Sequence, residues 1–193
     1  MTVREALVHS LNVPMVRLGM AVGLPPIAER LTDLGFSLPK PAPSVLLGAL
    51  EAAPLEVARA YAALASGGVL PVPTSEPVPA AGARRVFTGP AATDVLVALR
   101  EVVRTGTAAS LRGRVEGPLG GKTGTTDGRR DSWFVALRPR LVTVVWLGTD
   151  GNHETELFGA TGALEVWQQI DSRLPAVFRG DTGEQLRPSR MDR

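Results

Sequence analysis

The chain has 193 residues, 44% hydrophobic and 5% aromatic, enough for one domain or part of a larger one with a core of Ala, Val and Leu. Its net charge of +2 comes from scattered arginines rather than a basic run, which argues against a nucleic-acid partner. There is no cysteine, and the two histidines, His9 and His153, lie far apart; this excludes disulfides and thiolate sites, and no zinc centre or other cofactor is expected.

No stretch reaches the length of a membrane span, and Met1-Thr2-Val3-Arg4-Glu5 does not read as a signal peptide, so neither an export signal nor an anchor is expected. Thr2 and Glu5 have capping-box spacing, which predicts a helix from residue 3 with Val3, Ala6 and Leu7 on one face. Asn12 is the expected N-cap of a second helix, with Pro14 in its first turn and Gly23 past its end. Ser10 and Asn12 then sit at a joint between helices, where polar side chains can face a cleft or simply cap. A third helix follows from Pro25-Pro26 to Gly35, through Ile27, Ala28, Leu31 and Leu34.

Residues 36 to 54 read as a Pro-rich loop with an apolar piece at Val45 to Leu50. Pro54 opens a strongly periodic helix through Leu55, Val57, Ala58, Tyr61, Ala62 and Ala65, closed by Gly67-Gly68. Val69 to Gly82 reads as an irregular excursion, and Arg84 to Phe87 as a short strand. Pro90 begins another helix that ends near Thr105-Gly106-Thr107. Strands are predicted at 118 to 126, 131 to 138 and 141 to 148, with Asp127-Gly128 and Pro139 in the turns. Asp127 and Asp131 are expected to form weak hairpin ion pairs with Arg129 and Arg130. A last helix covers about Ala163 to Ser172. The expected division is 1 to 174, with a loose polar tail from 175 to 193.

Helices first and an antiparallel meander last predict an α+β fold, with helices packed on the sheet. Three strands are few for so many helices, a hint that part of the sheet is missing.

One stretch of the meander is unusual. Gly120-Gly121-Lys122-Thr123-Gly124-Thr125-Thr126 has three glycines in a strand, where glycine often marks the close approach of a ligand. Of 21 basic residues only Lys40 and Lys122 are lysine. A compact ammonium, unlike a guanidinium, shifts its pKa readily and can handle protons. If Ser10, Asn12, Lys122, Thr123 and Thr125 share a cleft, they hold one cation, three hydroxyls and an amide. That set suits an anionic, amide-containing ligand, and an extended peptide could add along the strand at Gly124. Taken singly, each residue has a plainer reading: Ser10 and Asn12 as caps, Lys122 as a solvated edge charge.

Jointly and in this order the motifs resemble those of penicillin-binding proteins. Ser10-Leu11-Asn12 resembles the second motif of that family, and Lys122-Thr123-Gly124-Thr125 followed by Asp131-Ser132-Trp133-Phe134 resembles the third. Ala58 to Gly68, Val145 to Asn152 and Gly159 to Leu164 are similar to it as well. The resemblance spans about residues 2 to 170 and points to the C-terminal part of the transpeptidase domain of a bifunctional class A penicillin-binding protein. It implies a β-lactamase/transpeptidase-like fold whose N-terminal part is missing. The activity it implies is that of a serine-type D,D-transpeptidase crosslinking peptidoglycan at the outer face of the cytoplasmic membrane. The implied partners are the D-Ala-D-Ala end of a stem peptide, β-lactams and the missing part of the domain.

By the same resemblance Ser10 assists proton transfers, Asn12 holds the substrate amide, and Lys122, Thr123, Gly124 and Thr125 take the carboxylate. The family's nucleophile is the serine of a helical Ser-x-x-Lys motif ahead of Ser-x-Asn, and residues 1 to 12 hold none. Ser37-Leu38-Pro39-Lys40 has the spacing, but it follows Ser-x-Asn and its prolines make a loop. The chain is therefore expected to be inactive alone and not acylated by a fluorescent penicillin. The competing expectation is a non-catalytic module that binds cell-wall peptides or a partner protein.

Overall fold

The computed structural model describes residues 1–38, 40–75 and 82–180. Pro39, part of the 69–82 excursion and the tail from residue 181 lie outside the described residues. Among the described residues no helix is long and apolar enough to cross a membrane.

In chain order come helices α1 (Val3–Val8), α2 (Asn12–Val22), α3 (Leu24–Leu34) and α4 (Pro54–Ala65), then a two-stranded ribbon of β1 (Val69–Leu70) and β2 (Arg84–Arg85). Helix α5 (Gly89–Arg104) leads into the meander β3 (Gly120–Thr125), β4 (Ser132–Arg138) and β5 (Leu141–Leu147). Helices α6 (Ala163–Asp171) and α7 (Ala176–Arg179) follow. The fold is thus the expected α+β arrangement, and among the described residues β5 pairs only with β4.

The period of two along the strands decides which side chains share a face. Lys122 pairs with Val135 and Val135 with Val144, so these three project together with Leu137 and Val142. That face packs on α4 and α5 through Val57, Tyr61, Leu64 and Leu99. The opposite face carries Phe134, Ala136 and Val145 against Leu164 and Trp167 of α6. Phe134 meets Trp167 edge to face at 5.3 Å.

Ser132 is fully buried and serves two backbone groups at once. Its Oγ accepts from Ala163 N at 3.0 Å and donates to Phe158 O at 2.9 Å. A free N–H at the start of α6 thereby finds its partner on β4. Ser132→Ala is expected to destabilise the chain by about 1–3 kcal/mol, read from urea unfolding, because both groups stay buried.

Four local expectations need correction. Helix α1 buries Ala6 and Val8, whereas Val3 is 58% exposed; with only six residues, it turns one short face to the rest of the fold. Asn12 is the first residue of α2 rather than its cap, and Leu11 precedes it without a side-chain bond. Arg129 pairs with Glu154, and Asp131 instead accepts from Thr126 Oγ1 and Trp146 Nε1, each at 2.9 Å. The chain beyond Pro175 is not loose at its start, since α7 docks with Arg179 O 3.4 Å from Arg138 Nη1.

Candidate active site

Helix α1 ends in a way that presents Ser10. Ser10 N donates to Leu7 O and Leu11 N to Ala6 O, at 3.2 and 2.9 Å. These are the two bonds of a Schellman turn, which puts the residue after the cap in the left-handed region. Glycine usually fills that position; here it is Ser10, with φ +54°. A side chain there costs about 1–2 kcal/mol, and such strain gathers at functional sites. The same turn leaves Leu11 extended, so α2 starts at once and Asn12 has no cap to make.

The Ser10 side chain meets the strand 112 residues further on. Lys122 Nζ donates to Ser10 Oγ at 2.8 Å and to Thr123 O at 2.9 Å. Lys122 is partly buried, and burial pushes its ammonium from 10.5 down to about 8. None of the ion pairs among the described residues includes it. Lys122 is therefore not a solvated edge charge but a half-buried cation with two neutral acceptors.

Thr125 lies three residues along β3, exposed, and its Oγ1 accepts from Gly159 N at 2.9 Å. Accepting that bond leaves its own hydrogen to be donated elsewhere. The 159 position must be glycine, because a Cβ there would stand 2.5 Å from Gly124 O and 2.7 Å from Trp133 O. Thr123 Oγ1 lies 2.6 Å from Thr107 Oγ1. Strand β3 pairs on one side with β4. A Cβ on Gly124 would approach Trp133 Cβ at 3.2 Å, so the bare strand at this point serves the packing of Trp133 as well as any ligand.

Ser10 and Lys122 are thus in direct contact, and Thr123 and Thr125 follow on the same strand, with side chains that alternate with that of Lys122. Asn12 is exposed near the Ser10 turn and makes no side-chain hydrogen bond to a described residue. Ser37 and Lys40 lie outside any helix and line a separate surface depression with Ser44 and Glu51. Thr107 and Gly159 are the contributors that the sequence reading passed over. The only local signal was a hydroxyl after glycine in Thr105-Gly106-Thr107, and a glycine in an unpatterned loop.

Known proteins share this sequence pattern over most of the chain, and this fold. The model of the penicillin binding protein transpeptidase domain matches residues 1–156. Penicillin-binding protein 1B of Escherichia coli (strain K12) is 39% identical over 181 residues, which cover 86% of this chain and 21% of the relative. Penicillin-binding protein 1B of Haemophilus influenzae is 36% identical over 184 residues, 88% of this chain and 23% of the relative. The crystal structure of penicillin-binding protein 1A from Haemophilus influenzae has the same fold, with a TM-score of 0.81 at 24% identity over 91% of this chain and 35% of that one. The chain spans about a fifth of the length of the curated relatives it matches. A family match over four-fifths of the chain, on a fold shared with solved members, makes this chain a member of the penicillin-binding protein transpeptidase family, a portion of the transpeptidase domain of a class A penicillin-binding protein.

Proposed function

We propose that these residues form the carboxylate-holding side of a D,D-transpeptidase site that crosslinks peptidoglycan stem peptides. The observation that carries this is the Lys122 ammonium, half-buried and without a carboxylate among the described residues. A desolvated cation gains most from an anion delivered to it. The terminal carboxylate of a D-Ala-D-Ala peptide, or that of a β-lactam, supplies one. Thr125 donates its free hydrogen to that carboxylate, and Thr123 flanks it. The peptide lies along β3 at Gly124 as an added strand, and Asn12 holds its amide. Ser10, bonded to Lys122, passes a proton between the ammonium and the reacting nitrogen.

The attack on the peptide carbonyl needs a serine that these 193 residues do not offer in a helical Ser-x-x-Lys. The reading is therefore of a site that binds here and reacts with a nucleophile supplied from other sequence, at the outer face of the cytoplasmic membrane. A non-catalytic module that binds cell-wall peptides would share the binding step. The test compares an acyl-D-Ala-D-Ala peptide with its C-terminal amide by calorimetry at pH 7. The acid is expected to bind about 10- to 100-fold tighter, the worth of a charge-assisted hydrogen bond. Equal affinities would remove the basis for the proposal. A fluorescent penicillin should leave the chain without a covalent label, and labelling at Ser10 or Ser37 would overturn the view of the nucleophile.

A further inference from the structure

The turn after α5 brings a hydroxyl to the site from a third part of the chain. Gly106 N donates to Glu101 O and Val102 O, at 3.2 and 3.1 Å, which ends the helix tightly. A Cβ on Gly106 would stand 2.3 Å from Val8 O and 2.9 Å from Val102 Cα. The turn is therefore wedged between α1 and α5, and no larger residue fits its first position. Thr107 N then points at Val8 O, 3.4 Å away. Val8 is two residues before Ser10, so Thr107 is anchored to the end of α1 that presents Ser10.

From this anchored backbone the Thr107 hydroxyl reaches Thr123 at 2.6 Å, and the pair is half-buried. Two hydroxyls in contact use one hydrogen between them, and the other hydrogen stays available to a third group. Thr107 Oγ1 has no other hydrogen-bond partner among the described residues. Thr123 sits next to Lys122, whose ammonium has no carboxylate partner among the described residues.

We infer that Thr107 is a positioning residue for anion recognition: it donates to Thr123 Oγ1 and turns the Thr123 hydrogen toward the ligand carboxylate. The inference rests on the carboxylate reading of the site given above. It makes one turn responsible for both halves of the polar cluster, since the same residues hold the Ser10 end of α1 and the rotor of Thr123.

The test uses the full chain carrying Thr107→Val, which keeps the shape and removes the hydroxyl, and Thr107→Ser, which restores it. The first readout is the set of three-bond couplings that report the Thr123 χ1 rotamer without ligand. The second is the affinity ratio of the acid and amide peptides. Thr107→Val is expected to average the Thr123 rotamer and to lower the acid preference about two- to tenfold, with amide binding unchanged. Thr107→Ser should keep both at the unaltered values. Unchanged couplings in Thr107→Val, or equal losses in Thr107→Ser, would overturn the positioning role whatever the ligand. Absence of acid preference in the unaltered chain would instead overturn the carboxylate reading. Should Thr107→Val disturb the turn, Thr107→Ala removes the hydroxyl by deleting atoms only, and the same couplings decide.

Discussion

Replacing Asp171 by alanine is expected to lower the stability of the chain by about 3–5 kcal/mol, the largest effect of any single surface-remote change proposed for it. Arg138 and Asp171 form an ion pair whose side chains are 1% and 4% exposed. The contact is two-pronged, with Nε 3.1 Å from Oδ1 and Nη2 2.5 Å from Oδ2. The remaining guanidinium nitrogen donates to Glu116 O, Pro118 O and Arg179 O. Arg138 therefore ties the end of β4 to α6, to α7 and to the approach to β3.

Removing the carboxylate leaves a guanidinium that can neither shed its proton nor reach water. For a domain of this size the loss corresponds to a fall in Tm of roughly 6–20 °C. The paired replacement Arg138→Met with Asp171→Leu is expected to return most of that stability, because it removes both desolvation penalties together. Urea unfolding of the three variants decides the matter. A loss under about 1 kcal/mol in Asp171→Ala would mean that water reaches the arginine and that the pair is not a structural hub.

Lys122→Met is expected to abolish the preference for the acid peptide and, at pH 7, to raise the stability of the fold. Both effects come from the same fact, the burial of a cation that has no counter-ion among the described residues. Burial lowers the Lys122 pKa to about 8 from 10.5. Below pH 8 the lysine is charged in both folded and unfolded chains, and the folded state carries the full penalty of the buried charge. Between about 8 and 10.5 the unfolded chain holds a proton that the folded chain has released, so stability rises with pH across that window.

Tyr61 works the other way. Burial raises its phenol from 10.0 to about 12, so between these values the unfolded chain ionises first and stability falls. The unaltered chain is therefore expected to gain stability from pH 8 to about 10 and then to lose it. Lys122→Met should show the fall without the preceding rise. Affinity for the acid peptide should decline from about pH 8, as the free chain loses its ammonium, until the higher pKa that a bound carboxylate gives the complex. A flat stability profile between pH 8 and 10 in the unaltered chain, or an undiminished acid preference in Lys122→Met, would show that Lys122 is not the anion seat.

Much of the scaffold for this site is legible in the residues. The alternation in Ser132 to Leu137 and Leu141 to Leu147 predicts strands within a residue of those observed, and the two-residue turn at Pro139-Arg140 sets their register. The capping box of Thr2 and Glu5 is formed as its spacing predicts. These are contacts between near neighbours, decided by backbone sterics and by the period of two or 3.6. The hairpin polar pairs are not legible in the sequence, because Asp131 has two kinds of candidate partner, the nearby arginines and a tryptophan indole on a neighbouring strand. Trp146 packs beside Trp133, 6.1 Å between rings, and its indole N–H donates to Asp131.

The sequence by itself determined the strand that carries Lys122, the helix that ends at Ser10, and the rarity of lysine that draws attention to the site. Only the tertiary structure decided that the two meet at 2.8 Å, that Thr107 stands behind Thr123, and that Arg138 is closed off from water. The reason is range. Caps, turns and alternation are written in residues a few positions apart, whereas burial and the pKa shift that follows from it depend on which surfaces a folded chain lays against each other. The lysine among the glycines marks the place; the turn at Ser10 and the low-dielectric packing around β3 make it a half-buried cation that donates to Ser10 and to Thr123 O.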